Sequence, residues 1–414
     1  MKHKERVIII GGGHAGFACA KALRQEQFHG EIILISNEAQ LPYHRPPLSK
    51  SFIKDEQEIE LSKLYLQPQD FYEKYQIDLR LNTAVSEIDP IEQKVKLYHG
   101  DMIAYDHLVL AQGTRPRQLP LAGTELTGVV SLRTLNDART LRHKMMSAEN
   151  IVIIGGGFIG LEFASTARSL GKNVTVLEHM PRVLGRSVSP LVSDYIADLH
   201  RKNGIKIYNG VFISEFTGEN GQVTGVHCAE GILPADLVLV GVGAIPNTEL
   251  AEQAGIYCDN GIIVNRLMQT NIENIFSIGD CANHENAFSG GRRIRLESVQ
   301  NANDQALTVA KFITQQPQEY KNVPWFWTDQ GDIRLQMTGL SFDTTDYVLR
   351  GDIQTGRFSV FHYAQDQLVA IDSVNQPVDH MIARKLLEAG ISPTQQQVAD
   401  INTNLKSLLT LSAV

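Results

Sequence analysis

The chain has 414 residues, 43% of them hydrophobic and 20% charged, which suits two or three globular domains and excludes a disordered or fibrous chain. The formal net charge of −8 argues against a nucleic-acid binder, which would carry a basic surplus. The mid-chain apolar run "LVLVGVGAI" from Leu237 has 9 residues and holds two glycines, far short of the about 20 that a spanning helix needs.

The N-terminal stretch "MKHKERVIIIGGG" has too short an apolar core for a secretory signal. A cytoplasmic protein is therefore expected, with neither nucleic acid nor membrane as a partner. The first elements are a strand that turns straight into a helix, "RVIIIGGGHAGFA" from Arg6. Gly11, Gly13 and Gly16 fit G-x-G-x-x-G. The first glycine allows a tight turn, the second lets backbone N–H groups approach a pyrophosphate, and the third lets the helix pack close to the strand. A second strand, "EIILISNE", ends in Glu38, where a carboxylate can accept from ribose hydroxyls. Cys19 falls on an apolar helix face, the place of a small buried thiol.

Near residue 117 the turn-rich "GTRPRQLP" leaves this unit. From Ile151 the pattern repeats as "IVIIGGGFIGLE", with Gly155, Gly157 and Gly160 in the same spacing, and "NVTVLE" ends in Glu178. This second unit runs through "DLVLVGVGAIPN" to Asn247. The stretch "NGIIVNRLMQTNIENIFSIGDCA" reads as a return to the first unit, with Asp280 just past an apolar strand. From about Val323 the runs "VPWFWTDQGDIRLQMTGL" and "RFSVFHYAQDQLVAIDSV" alternate as antiparallel strands do, "DHMIARKLLEAG" reads as an amphipathic helix, and "LKSLLTLSAV" as a short helix or tail.

One glycine turn is weak evidence; two, each followed by an acid at the right distance, imply two dinucleotides. No Ser/His/Asp constellation, HExxH or metal cluster stands beside them, so no metal is expected. The economical reading is that the two ligands react with each other, a nicotinamide giving hydride to a flavin.

The stretches "LPYHRPPLSK", "LVLAQGTRPR", "LRTLNDARTLR", "IVIIGGGFIGLEFA", "IFSIGDCA", "RLESVQNANDQA" and "VPWFWTDQ" together resemble the FAD-dependent, NADH-using ferredoxin reductases of bacterial oxygenase systems, the putidaredoxin reductase-like group. The resemblance runs through nearly the whole chain in the same order. It implies an α/β protein of glutathione-reductase-like fold: two Rossmann-like dinucleotide-binding domains and a C-terminal α+β domain. The FAD domain is split over 1–117 and 248–322, the NADH domain is 118–247, and the last domain is 323–414. By resemblance Gly11, Gly13, Gly16 and Glu38 hold FAD. Arg45, Lys50, Val85, Gly113, Arg133, Asp280 and the backbone at Val299 also contact it. Gly155, Gly157, Ile159, Gly160, Glu178, Arg186 and Gly243 contact NADH. Three departures stand out: Gln112 in the turn where relatives have Thr, His44 before Arg45 where many have Asp, and Ile245 where a polar residue is frequent.

Lys50 and Glu162 are expected to pair beside the flavin N5. Hydride transfer needs a fixed distance and a positive charge for the developing anion rather than a proton donor. Glu178 opposes the 2′-phosphate of NADPH, whereas Arg182 nearby could accept it. The expected electron acceptor is a small acidic two-iron–two-sulfur ferredoxin, or a rubredoxin, that serves an oxygenase downstream. An acidic partner of an acidic chain needs a local basic patch, for which Arg292, Arg293, Arg295, Lys311 and Arg334 are candidates. Trp325 and Trp327 are either core aromatics or part of the electron's exit.

Three other readings belong with this fold, and the first is nearly excluded. A flavin disulfide reductase or NADH peroxidase needs a redox cysteine after Glu38, but residues 29–60 have none, and Cys19, Cys228, Cys258 and Cys281 form no CxxC or zinc-ligand spacing. An NADH-binding module of the apoptosis-inducing-factor type and a reductase of a small molecule such as monodehydroascorbate remain.

Overall fold

The computed structural model describes residues 4–55, 61–229 and 231–411. The described residues fall into two compact units: one within 1–44, 60–115 and 245–324, the other within 45–59, 116–244 and 325–414.

The first unit is built on a five-stranded parallel sheet. Its order is Ile275–Ser277, His107–Leu110, Arg6–Ile10, Glu31–Ile35, Ile77–Arg80. The run Val7–Ile10 is apolar at every position because both faces of the sheet are covered. Val7 and Ile9 join one buried cluster, with Phe17, Leu23 and Val309, while Ile8 and Ile10 join another, with Val95 and Leu108. Helices His14–Gln25 and Val299–Ile313 pack on the first of these faces. Ser298 caps the second helix, its hydroxyl accepting from Asn301 N–H. Strand Ile275–Ser277 and helix Val299–Ile313 bring the later part of the chain into this unit.

The second unit repeats the motif. Its parallel sheet runs Lys206–Asn209, Asn173–Glu178, Asn150–Ile154, Leu237–Val240, Val129–Val130. Helix Leu135–Ser147 enters through a capping box: Thr134 accepts from Asp137 N–H, and the Asp137 carboxylate accepts from Thr134 N–H.

The same unit holds a five-stranded antiparallel sheet ordered Trp325–Gln330, Ile333–Gly339, Gln367–Val374, Arg357–Ala364, Asp346–Asp352, with helix Pro377–Glu388 packed on it. Its edge strand Trp325–Gln330 packs against helix Phe158–Ser169, the helix that follows the second glycine turn. Residues 45–55 lie in this unit too. Among the described residues no helix is long and apolar enough to cross a membrane.

Candidate functional site: two glycine cradles and a buried ion pair

Steric demands at the two glycine turns match position by position. Gly11 and Gly155 have φ of +120° and +105°, which L side chains rarely adopt. A Cβ on Gly16 would sit 1.9 Å from the Gly11 carbonyl oxygen, and one on Gly160 would sit 2.3 Å from that of Gly155. Any side chain there would therefore push the helix off its strand. Gly13 and Gly157 differ, since a Cβ on either meets nothing within 4 Å. Each is the N-cap of its helix and faces open space. A pyrophosphate fits such a place, with the positive end of a helix dipole facing it. Beside the first turn, Gln112 Oε1 and Thr114 Oγ1 are buried with no protein partner, as groups reserved for a ligand are. Gly113 there has φ +63°.

Each turn also has a middle glycine that the G-x-G-x-x-G spacing leaves as any residue. A Cβ on Gly12 would lie 2.6 Å from Ser36 Cβ, and one on Gly156 would lie 2.7 Å from Val183 Cγ1. Gly156 N–H donates to Glu178 Oε2 at 2.6 Å, and Met180 N–H donates to Oε1 at 2.7 Å. Glu178 is thus clamped at the strand end, with lone pairs left for further donors. Arg182 is turned away to the carbonyls of Val188 (2.9 Å) and Gly185 (2.8 Å). Around this turn Ile159 is 46% exposed, Arg186 is exposed, and Gly243 has φ +108° with open space where a Cβ would be. In the first unit Glu38 accepts from Tyr43 Oη at 2.5 Å.

The remaining sequence candidates fall in both units. Val85 opens strand Val85–Asp89, Asp280 lies in the turn Gly279–Cys281, and Val299 begins its helix, all in the first unit. Arg45, Lys50 and Arg133 are in the second, where Arg45 Nη1 donates to the Arg133 carbonyl at 2.8 Å.

Lys50 and Glu162, 112 residues apart, meet in the second unit: Lys50 Nζ is 2.8 Å from Glu162 Oε2. Segment 46–54 makes this possible, because the turn Pro46–Ser49 and the short helix Ser51–Lys54 aim both Ser49 and Lys50 at helix Phe158–Ser169. The carboxylate is buried and well satisfied. Ser49 Oγ donates to Oε2 at 2.6 Å and Thr328 Oγ1 donates to Oε1 at 2.6 Å. Thr166 Oγ1 holds the Ser49 carbonyl at 2.9 Å. Lys50 stays 23% exposed at a cleft of about 230 Å³, also lined by Ser165 and Gly331. Ser49 and Thr328 escaped the sequence reading, because hydroxyls in loops and edge strands carry no pattern.

Of the basic candidates, Arg292 and Arg293 are exposed in the first unit. Arg293 spends both terminal nitrogens on the Val264 carbonyl, and Arg295, with a side chain 10% exposed, is tied to Glu297 and the Asp280 carbonyl. Arg334 is exposed, and Lys311 reaches Gln318. Trp325 and Trp327 share one face of the edge strand with centroids 5.6 Å apart, and both are half-buried rather than in the core. Arg384 stacks over Trp325 at 5.5 Å. No cysteine is set up as a nucleophile: Cys19, Cys228 and Cys281 are buried, burial pushes the Cys19 thiol up to about 12, and burial with nearby Glu252 pushes Cys258 up to about 11.

Residues 5–306 match the family described as pyridine nucleotide-disulphide oxidoreductase, and residues 325–409 match a reductase C-terminal domain. The chain is 41% identical to rhodocoxin reductase of Rhodococcus erythropolis, over 97% of this chain and 93% of that one. It is 38% identical to putidaredoxin reductase of Pseudomonas putida, over 99% and 98%. Among solved structures, the covalent putidaredoxin reductase–putidaredoxin complex aligns with a TM-score of 0.95 at 37% identity, over 99% of both chains.

Proposed function

Because the chain belongs to the pyridine nucleotide-disulphide oxidoreductase family and ends in a reductase C-terminal domain, we propose that it is an FAD-dependent enzyme. It takes a hydride from NADH and passes single electrons to a small two-iron–two-sulfur ferredoxin or a rubredoxin that serves an oxygenase. The observation that carries this reading is the pair of open glycine cradles, each followed by an acid, in a chain whose cysteines are buried or half-buried and set up for no disulfide chemistry. The names of relatives support the partner class: rubredoxin-NAD(+) reductase, the reductase subunit of a dehydrodivanillate O-demethylase, and that of an anthranilate dioxygenase. The cytoplasm is the fitting place for such a reaction, since NADH is made there.

FAD, when bound, accepts the hydride and releases electrons one at a time. The chain's own groups bind, orient and balance charge. Gly11, Gly13 and Gly16 leave room for the FAD pyrophosphate, and Glu38 accepts from its ribose. Gly155, Gly157, Gly160 and Glu178 do the same for NADH. Lys50 supplies positive charge to the reduced flavin, and Glu162 holds Lys50 in place.

Anaerobic NADH should bleach the flavin bands of the holoenzyme, and the reduced protein should then reduce a two-iron–two-sulfur ferredoxin. Lys50→Met should slow flavin reduction in stopped flow by at least ~10-fold, since losing one charge-stabilising group costs roughly 10²–10³ in comparable sites, while FAD stays bound. Hydride uptake without ferredoxin or rubredoxin reduction would move the reading to a small-molecule reductase. No turnover even with ferricyanide would move it to an NADH-binding module.

A further inference from the structure

A carboxylate as buried as that of Glu162 is costly unless its lone pairs are satisfied. On Oε2 it has Lys50 and Ser49. On Oε1 it has the hydroxyl of Thr328 at 2.6 Å, from the edge strand of the C-terminal sheet. Thr328 is 0% exposed, so water does not replace this bond.

The direction of the bond is dictated from behind. Gln330 Nε2 donates to Thr328 Oγ1 at 2.9 Å and reaches the Phe158 carbonyl at 3.4 Å. That carbonyl oxygen can only accept, so the amide group facing it is the Nε2 donor. Gln330 Oε1 then accepts from His200 Nε2 at 3.1 Å. His200 is 1% exposed and its Nδ1 has no partner, as expected of a neutral ring with its proton on Nε2. The hydroxyl oxygen of Thr328 accepts a hydrogen bond from Gln330 Nε2, so its own hydrogen points at Glu162. The chain His200, Gln330, Thr328, Glu162 donates in one direction and ends on the carboxylate that holds Lys50; each bond polarises the next.

We propose that Thr328 is a positioning residue for the Lys50–Glu162 pair, so that the C-terminal sheet takes part in hydride transfer as well as in folding. The proposal rests on the reading of Lys50 and Glu162 given above. Without the Thr328 hydroxyl, Oε1 is left unpaired, the carboxylate turns to seek another donor, and Lys50 loses its anchor.

The test uses the FAD-loaded full chain. Thr328→Val keeps shape and removes the hydroxyl; Thr328→Ser keeps the hydroxyl. Stopped-flow reduction at saturating NADH should be at least ~10-fold slower in the valine variant, as loss of a hydrogen bond to a charged group allows, with the NADH dissociation constant changed less than ~3-fold. The serine variant should regain most of the rate. A crystal structure of the valine variant should show Lys50 Nζ and Glu162 Oε2 separated beyond hydrogen-bond distance. Thr328→Ala is read in the same way should the valine variant not fold. An unchanged rate overturns the proposal, and so does an equal slowing when Thr328→Val is added to Glu162→Gln, because Thr328 would then act by another route. If Glu162→Gln by itself leaves the rate unchanged, the role of the ion pair fails, whatever Thr328 does.

Discussion

On the function proposed above, the choice of nicotinamide cofactor at Glu178 would rest on two backbone N–H groups and one guanidinium. Gly156 and Met180 hold the carboxylate at the strand end, and Arg182 is committed to the Val188 and Gly185 carbonyls. A 2′-phosphate there meets a fixed like charge, with Arg182 already spent on its own loop. Like-charge contacts cost several kcal/mol, and each 1.4 kcal/mol is about tenfold. We expect kcat/KM for NADH to exceed that for NADPH by at least ~10-fold, and Glu178→Gln to narrow the gap. Equal efficiencies in the parent protein would contradict this account.

At the scale of the element, the second strand–turn–helix makes a paired prediction from two glycines three residues apart. Gly160→Ala puts a Cβ against the Gly155 carbonyl oxygen. Overpacking of this kind costs roughly 1–3 kcal/mol, so Tm should fall by several degrees. Gly157→Ala meets nothing within 4 Å and should leave Tm within about a degree, yet raise KM for NADH several-fold by narrowing the pyrophosphate cradle. A thermal melt and a steady-state titration separate the two. These elements were legible because their signals are local: continuous apolar runs for buried parallel strands, alternation for the antiparallel ones. The strand Asp346–Asp352 was not read. It is the outer strand of its sheet, exposed at both ends and only half-buried between, so its sequence carries little alternation to see.

At the scale of the whole molecule, each unit buries a histidine that burial keeps neutral. In the first, His284 is driven down to about 4 by desolvation, with Arg293 adding to the effect; in the second, His380 is driven to about 4 by desolvation and by Arg384 and Arg334. Both folded values lie below the ordinary 6.5. Above that pH neither state binds the proton and stability is full; as pH falls towards 4 the unfolded chain takes up protons that the folded chain refuses. The loss is on the order of 2 kcal/mol for each by pH 5. Thermal melts should show a clear fall in Tm between pH 7.5 and pH 5, reduced in His380→Asn. A flat profile would mean that these rings are solvated.

The sequence by itself determined the alternation of strands and helices, the two glycine turns, the acid Glu178 that ends its strand, and the absence of a redox cysteine pair, because each is set by residues close together along the chain; the strand expected to end in Glu38 stops at Ile35 and leaves that acid in the following loop. Only the tertiary structure decided that Ser49 and Thr328 share the carboxylate of Glu162 with Lys50, that Arg182 donates to the Val188 and Gly185 carbonyls, and that Arg293 and Arg295 donate to the carbonyls of Val264 and Asp280. These contacts join charges and hydroxyls to carbonyls and carboxylates whose positions follow from how whole elements pack. A lone Thr, Ser or Arg has no periodicity to announce its partner, and burial decides which of its possible hydrogen bonds it must make.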